Sequence, residues 1–293
     1  LVSDLEKFSP DSLSVPEFRS GTDYTIFSKL SNHQRLGEPD ATSWNLDLQR
    51  EFHMTDDAAL YHPKKTRGLV PLVEGKQFHQ FIYPFAEFRY WVDPTVARAA
   101  LVSARLKKIK ALAEERNVTA AVKAQDLSLD YQSYRLAFRD VASSTNERTM
   151  IATVLPPNVF CPHTVSLEVV FHDTVAGGAL QLNRQALALV QRLYLVSVLN
   201  SFVVDFQLRQ KVTAHLSFFF LYQLPIPRLA ETDSAFRPLV ERAARLVGTT
   251  AEFDDLLKEI FGAKATHHTH GERTPEGRAR LRADLDGLVA RLY

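Results

Sequence analysis

The run LYLVSVLNSFVVDFQL, from Leu193 to Leu208, constrains the fold more than any other stretch. It is the most apolar helix candidate in the chain, yet Asn200, Ser201 and Asp205 interrupt it. Crossing a bilayer takes about 20 predominantly apolar residues, so the run reads as a helix buried in a soluble core. A chain of 293 residues with 45% hydrophobic and 24% charged residues has enough apolar material for such a core, in one or two domains.

A formal net charge of +1 gives no overall basic bias, so nucleic-acid binding would require locally clustered charge. The one cysteine, Cys161, excludes an internal disulfide framework and fits a reducing cytosol. LVSDLEKFSP lacks a basic segment followed by an apolar run, so no signal peptide is expected and the chain is read as cytoplasmic. It starts without Met and stops abruptly at LVARLY, which reads as a piece of something longer.

Residues 1–60 mix Ser, Pro, Asp and Gly with short apolar pieces and read as a lead-in, with one strand possible around Trp44, Leu46 and Leu48. TRGLVPLVEGKQFHQFIYPF reads as two strands joined by a Glu-Gly turn. Asp93 and Pro94 then open a helix that carries Val96, Ala100, Leu101, Ile109 and Leu112 at helical spacing. YRLAFRDVASSTNERTMIATVLPPN reads as a β-hairpin with a polar turn, ended by Pro156-Pro157. TVSLEVVFHD is a further strand, Asn183 is expected to cap a long apolar helix through about Lys211, and HLSFFFLYQLPIP is expected to return to β. The texture after Pro227 is helical and charged. These readings give an α/β (α+β) chain with a mixed-sheet body at 61–228 and a small helical segment at 229–293.

Catalytic motifs are scarce. LPPN places Leu155 and Asn158 around the two prolines, where an amino-methyltransferase needs Asp or Asn before them and an aromatic after. The glycine pair Gly177-Gly178 does not follow the pattern of a nucleotide-cradling loop. Glu74-Gly75-Lys76 after Pro39-Asp40 has the outline of a Mg²⁺ nuclease motif, but turn chemistry alone accounts for it. His267, His268 and His270 lack a second cluster at zinc spacing and read as a solvated loop. No catalytic, cofactor-binding or metal-binding residue is assigned.

Binding has more support. Arg98, Arg105, Lys107, Lys108, Lys110, Arg116 and Lys123 face only Glu114 and Glu115, and HPKKTRG adds Lys64, Lys65 and Arg67. A positive stripe of this kind suits phosphate contact, although a solvated helix face has the same composition. In the hairpin turn, Arg139, Asp140, Asn146, Glu147 and Arg148 are residue types that pair with base edges.

FSPDSLSVPE, REFHMTDDAALY, VPLVEGKQFHQF, YRLAFRDVASSTNERTMIATVLPP and VSVLNSFVVDFQLRQKVTAHLSFFFLYQLPIP occur in that order. Together they resemble the C-terminal half of Type IIG restriction–modification enzymes and of related adenine-specific DNA methyltransferases of phage defence, such as those of BREX systems. RARLRADLDGLVARLY is similar to that family's closing segment, and LYQLPIPRL is more loosely similar to Type I specificity subunits. The resemblance implies a non-catalytic target recognition domain that binds double-stranded DNA. In the same parent chain it implies a methyltransferase catalytic domain using S-adenosylmethionine, and Mg²⁺ if a nuclease is present. The candidates for DNA contact are Lys64, Lys65, Arg67, Lys76, Arg139, Asn146 and Arg148, with the hairpin's Arg and Asn on bases and the lysines on phosphates. Arg135 and Arg209 suit structural roles equally well. The alternatives are a protein-docking module and a self-contained nuclease using Glu74 and Lys76.

Overall fold

The computed structural model describes residues 8, 18–38, 45–141, 146–212 and 215–293. Trp44, Pro39-Asp40, most of the first 17 residues and the first half of the SSTNER turn lie outside the described residues.

Its centre is a four-stranded antiparallel sheet in the order β1–β6–β4–β5. The strands are β1 (Leu48–Gln49), β4 (Arg135–Arg139), β5 (Ala152–Leu155) and β6 (Val165–Glu168). The expected hairpin is present, with Arg135 paired to Leu155 and Phe138 to Ala152. Helix α3 (Leu189–Leu199) lies against β5, and every residue from Arg192 to Leu199 is buried. On its other side it packs against α6 (Phe236–Val247) and α8 (Pro275–Ala290), with α7 (Asp254–Phe261) beside α6. One hydrophobic cluster runs from Leu30, on α1 (Gly21–Leu30), through the sheet and α3 to Val289 and Tyr293. Each fully buried Leu or Val is worth about 1.5–3 kcal/mol, so burial on all sides makes α3 the axis of the molecule.

The apolar run forms two helices. α3 stops at Asn200, and α4 (Phe202–Arg209) leaves at an angle of 59°. Asn200 explains the break, because its side-chain amide exchanges two 2.9 Å hydrogen bonds with the backbone of Ala152 on β5. Ser201 then caps α4. No single helix among the described residues is long and apolar enough to cross a membrane.

A second, smaller sheet pairs β2 (Val70–Leu72) with β3 (Tyr90–Val92), and helix α2 (Pro94–Glu115) follows from the Asp93 cap as expected. Ala97, Val102 and Ile109 of α2 form a separate core with Leu72, Val92 and Phe160. The third sheet is a two-stranded ribbon of β7 (Phe171–Ala176) and β8 (Ala179–Gln185). Leu180 and Leu182 pack against the α2 core.

Three sequence readings need correction. Asn183 lies in β8 with φ of 60° and caps no helix; the helix begins at Leu189. The partner of β2 is β3 and not the segment after Glu74-Gly75, because Gly75–Gln77 form a 3₁₀ turn closed by the Gln77 side chain, which accepts from the Glu74 N–H at 2.8 Å. Within HLSFFFLYQLPIP, α5 (Phe218–Tyr222) is a short helix with single β-bridges on either side of it, His215 to Val141 before it and Pro225 to Arg35 after it. Beside the second bridge, Leu36 donates to the Leu224 carbonyl and Gly37 to that of Tyr222. The approach at Gly37 is close: a Cβ there would lie 2.6 Å from Tyr222 Cβ.

Candidate nucleic-acid interface

Strand direction brings several functional groups to one end of the central sheet. The antiparallel registers Phe138–Ala152 and Arg139–Val165 put the end of β4 beside the starts of β5 and β6, and β1 ends at the same rim. Arg50, Arg139, Asp140, His163 and the β4–β5 turn therefore share an edge.

The turn is held by its backbone. On α4, Asp205 accepts from the N–H groups of Thr149 at 2.6 Å and Met150 at 3.4 Å. Arg209 pairs with Asp205 and donates to the carbonyls of Asn146 at 2.6 Å and Glu147 at 2.7 Å. Anchoring through main-chain atoms leaves the side chains of Asn146 and Glu147 exposed. Arg139, at the end of β4, donates from Nε to the Phe78 carbonyl at 3.2 Å. Gly75 sits against it, such that a Cβ there would lie 3.4 Å from Arg139 Cγ, and the next residue, Lys76, is exposed.

Histidines line the rest of the rim. His53 stacks on His163 with ring centroids 4.4 Å apart, and His163 Nδ1 accepts from the Met54 N–H at 3.1 Å. Burial, followed by the nearby His53 and Arg50, holds His163 below the ordinary histidine value. Asp140 joins Arg50 at 2.5 Å to His215 at 3.1 Å. His79 is also held below the ordinary histidine value, by burial first and then by Arg139 and Arg282.

No protein-family model matches the chain, and no curated protein matches it. Among solved structures it is similar to the Type IIL restriction-modification enzyme MmeI in complex with DNA. The TM-score is 0.44 and the identity 13%, over 89% of this chain and 33% of that one. The chain thus spans about a third of that structure's length.

The seven candidate residues separate into groups. Arg139, Asn146 and Arg148 belong to the β4–β5 hairpin, and Lys76 follows Gly75, which sits against Arg139. Lys64, Lys65 and Arg67 are exposed in the loop that enters β2, whereas Lys76 follows that strand's other end. Arg148 is only 10% exposed: it pairs with Asp286 at 3.2 Å and lies over the Phe202 ring, 3.2 Å from its centroid. Arg105, counted in the basic stripe of α2, is likewise engaged inward. It grips both Asp173 oxygens, at 2.8 and 2.6 Å, and also meets Asn183. Arg135 is fully buried against Glu51 and donates to the Val159 carbonyl at 2.7 Å.

The ribbon β7–β8 adds residues that the sequence reading missed. Gly177 and Gly178 occupy its two-residue tip with φ of 60° and 76°, the positive values that a type I′ turn requires. With Leu180 and Leu182 turned inward, Gln181 and Arg184 are exposed, opposite Thr174 and His172. A two-stranded ribbon fits the major groove, where Gln matches adenine and Arg matches guanine. The glycine pair opens no helix, so it presents no helix-terminal amides to a cofactor. Among the described residues, no group of three or more His, Cys, Asp or Glu is placed to hold a metal ion. His267 instead bonds Asp254, at the start of α7, at 2.8 Å.

Proposed function

We propose that this chain is the DNA target recognition region of an adenine-specific DNA methyltransferase or restriction–modification protein, of the Type IIG or phage-defence kind. It binds duplex DNA and selects the sequence to be methylated. In this reading the methyl transfer takes place in a catalytic domain of the same parent chain, which binds S-adenosylmethionine, with Mg²⁺ if the parent also cleaves. The ordered sequence resemblance supports the assignment.

The observation that carries the reading is the anchored β4–β5 turn. A recognition element has to be rigid in its backbone and open in its side chains, because phosphate contacts fix register while base contacts specify sequence. Asp205 and Arg209 hold the main chain of the turn, and Asn146 is left exposed. We assign Asn146 and Arg139 to base edges and Lys64, Lys65, Arg67 and Lys76 to phosphates, and we add Gln181 and Arg184 of the ribbon as readers. Arg148 positions Phe202 and Asp286.

Binding of the purified chain to mixed-sequence duplex, titrated with salt, tests this. The logarithm of the affinity should fall linearly with that of the salt concentration, at a slope of about −0.9 per phosphate neutralised. Binding indifferent to salt, or absent from DNA but present with another protein, would support an apolar docking module instead.

A further inference from the structure

The rim carries an exposed aromatic ring that the hydrophobic core does not use. Phe85 is 54% exposed. Its backbone N–H donates to the Gln77 carbonyl at 2.7 Å, one residue from Lys76. The His79 ring lies against it, with centroids 5.0 Å apart and planes at 39°. The carbonyl of Phe78, between Gln77 and His79, accepts from Arg139. A ring held at a fixed place by its backbone and supported from one side, beside a segment at 76–79 that carries Lys76 and is bonded by Arg139, is suited to a flat ligand that carries negative charge. Phe202, another exposed ring, already has the Arg148 guanidinium on one face.

We propose that Phe85, supported by His79 and beside the segment that carries Lys76, is a stacking platform for an unpaired nucleobase. The inference rests on the DNA-binding reading and deepens it. Aromatic side chains take up bases by stacking whatever their identity, and a neighbouring cation, here Lys76, follows the backbone. An enzyme that modifies an exocyclic amine has to take its target base out of the helix. The ring is open to a base only where the duplex is disrupted, since a paired base has both faces covered by its neighbours.

The test uses the full chain and two duplexes that carry 2-aminopurine at the same position, either paired or opposite an abasic site. The unpaired form should bind about tenfold more tightly, in the range that base–aromatic stacking supplies, and its fluorescence should be quenched on binding. Phe85→Ala should abolish both the preference and the quenching without changing the salt slope, and Phe85→Tyr should retain them. Salt-dependent binding with equal affinity for both duplexes, or a preference that persists in Phe85→Ala, would overturn the platform alone and leave the ring to a protein contact. Absence of salt-dependent binding to either duplex would overturn the DNA reading as well.

Discussion

Asp205 and Arg209 stand one helical turn apart on α4 and form a 2.7 Å ion pair that holds the main chain of the β4–β5 turn. The pair links the buried helical axis to the most polar part of the sheet's rim. Asp205 is 4% exposed, so its carboxylate meets these partners in place of water.

Asp205→Ala should therefore cost about 2 kcal/mol of stability, as expected for loss of hydrogen bonds to a buried charged group. Urea denaturation would show a lower midpoint with an unchanged slope. The folded variant should also lose sequence discrimination more than overall DNA affinity. A wild-type midpoint would mean that the turn is held by other contacts.

His172 and Asp47 provide a pH test. His172 Nδ1 lies 3.3 Å from Asp47 Oδ2, and its Nε2 lies 3.0 Å from the Val169 carbonyl, so both ring nitrogens act as donors in the imidazolium. The bond to Asp47 raises the histidine above its ordinary value, and the same bond lowers Asp47. The histidine's contribution is complete below its unfolded value of about 6.5 and is lost as pH rises through its higher folded value. Asp47 is largely exposed, so the effect should stay below about 1 kcal/mol. NMR titration should place His172 above the ordinary histidine value in the wild type and lower in Asp47→Asn. No difference between the two would remove the pairing.

Two basic residues with similar sequence credentials should behave oppositely. Lys76→Ala should flatten the salt dependence of DNA binding by about one unit with unchanged stability. Arg105→Ala should leave that slope intact and cost about 3 kcal/mol, because it strips Asp173 of its charged partner in a nearly buried site. Chemical denaturation alongside a salt titration separates the two effects.

The ribbon readers should act on sequence and not on grip. Gln181→Ala and Arg184→Ala should each remove about 1–3 kcal/mol of discrimination at a single base pair, if each makes a bidentate contact. Competition binding with single-site variants of a selected duplex measures this. Unchanged preferences would remove the ribbon from the groove.

The sequence made local structure legible wherever a local rule governed it. Asp93-Pro94 opened α2, the β-rich halves of 134–155 paired as read, and the apolar run at 193–208 was buried. Elements decided by distant partners were less legible. The kink at Asn200 depends on Ala152, and the partner of β2 is the distant β3. The ribbon had a readable signal, since Gly177-Gly178 lies between two β-type runs with Leu180 and Leu182 alternating. A glycine pair read for a cofactor loop, and Asn183 read as a helix cap, both hide the ribbon. For the candidate site, residue type selected exposed side chains such as Lys76 and Asn146 together with engaged ones, and no local pattern reveals that Arg148 and Arg105 are occupied by Asp286 and Asp173.

Selection of randomised duplexes by the purified chain at low salt tests sequence recognition most directly. The expected result is one enriched motif whose information content falls at separate base pairs in Asn146→Ala and Arg184→Ala. A pool that binds without any motif, at any salt concentration, would contradict target recognition by this chain.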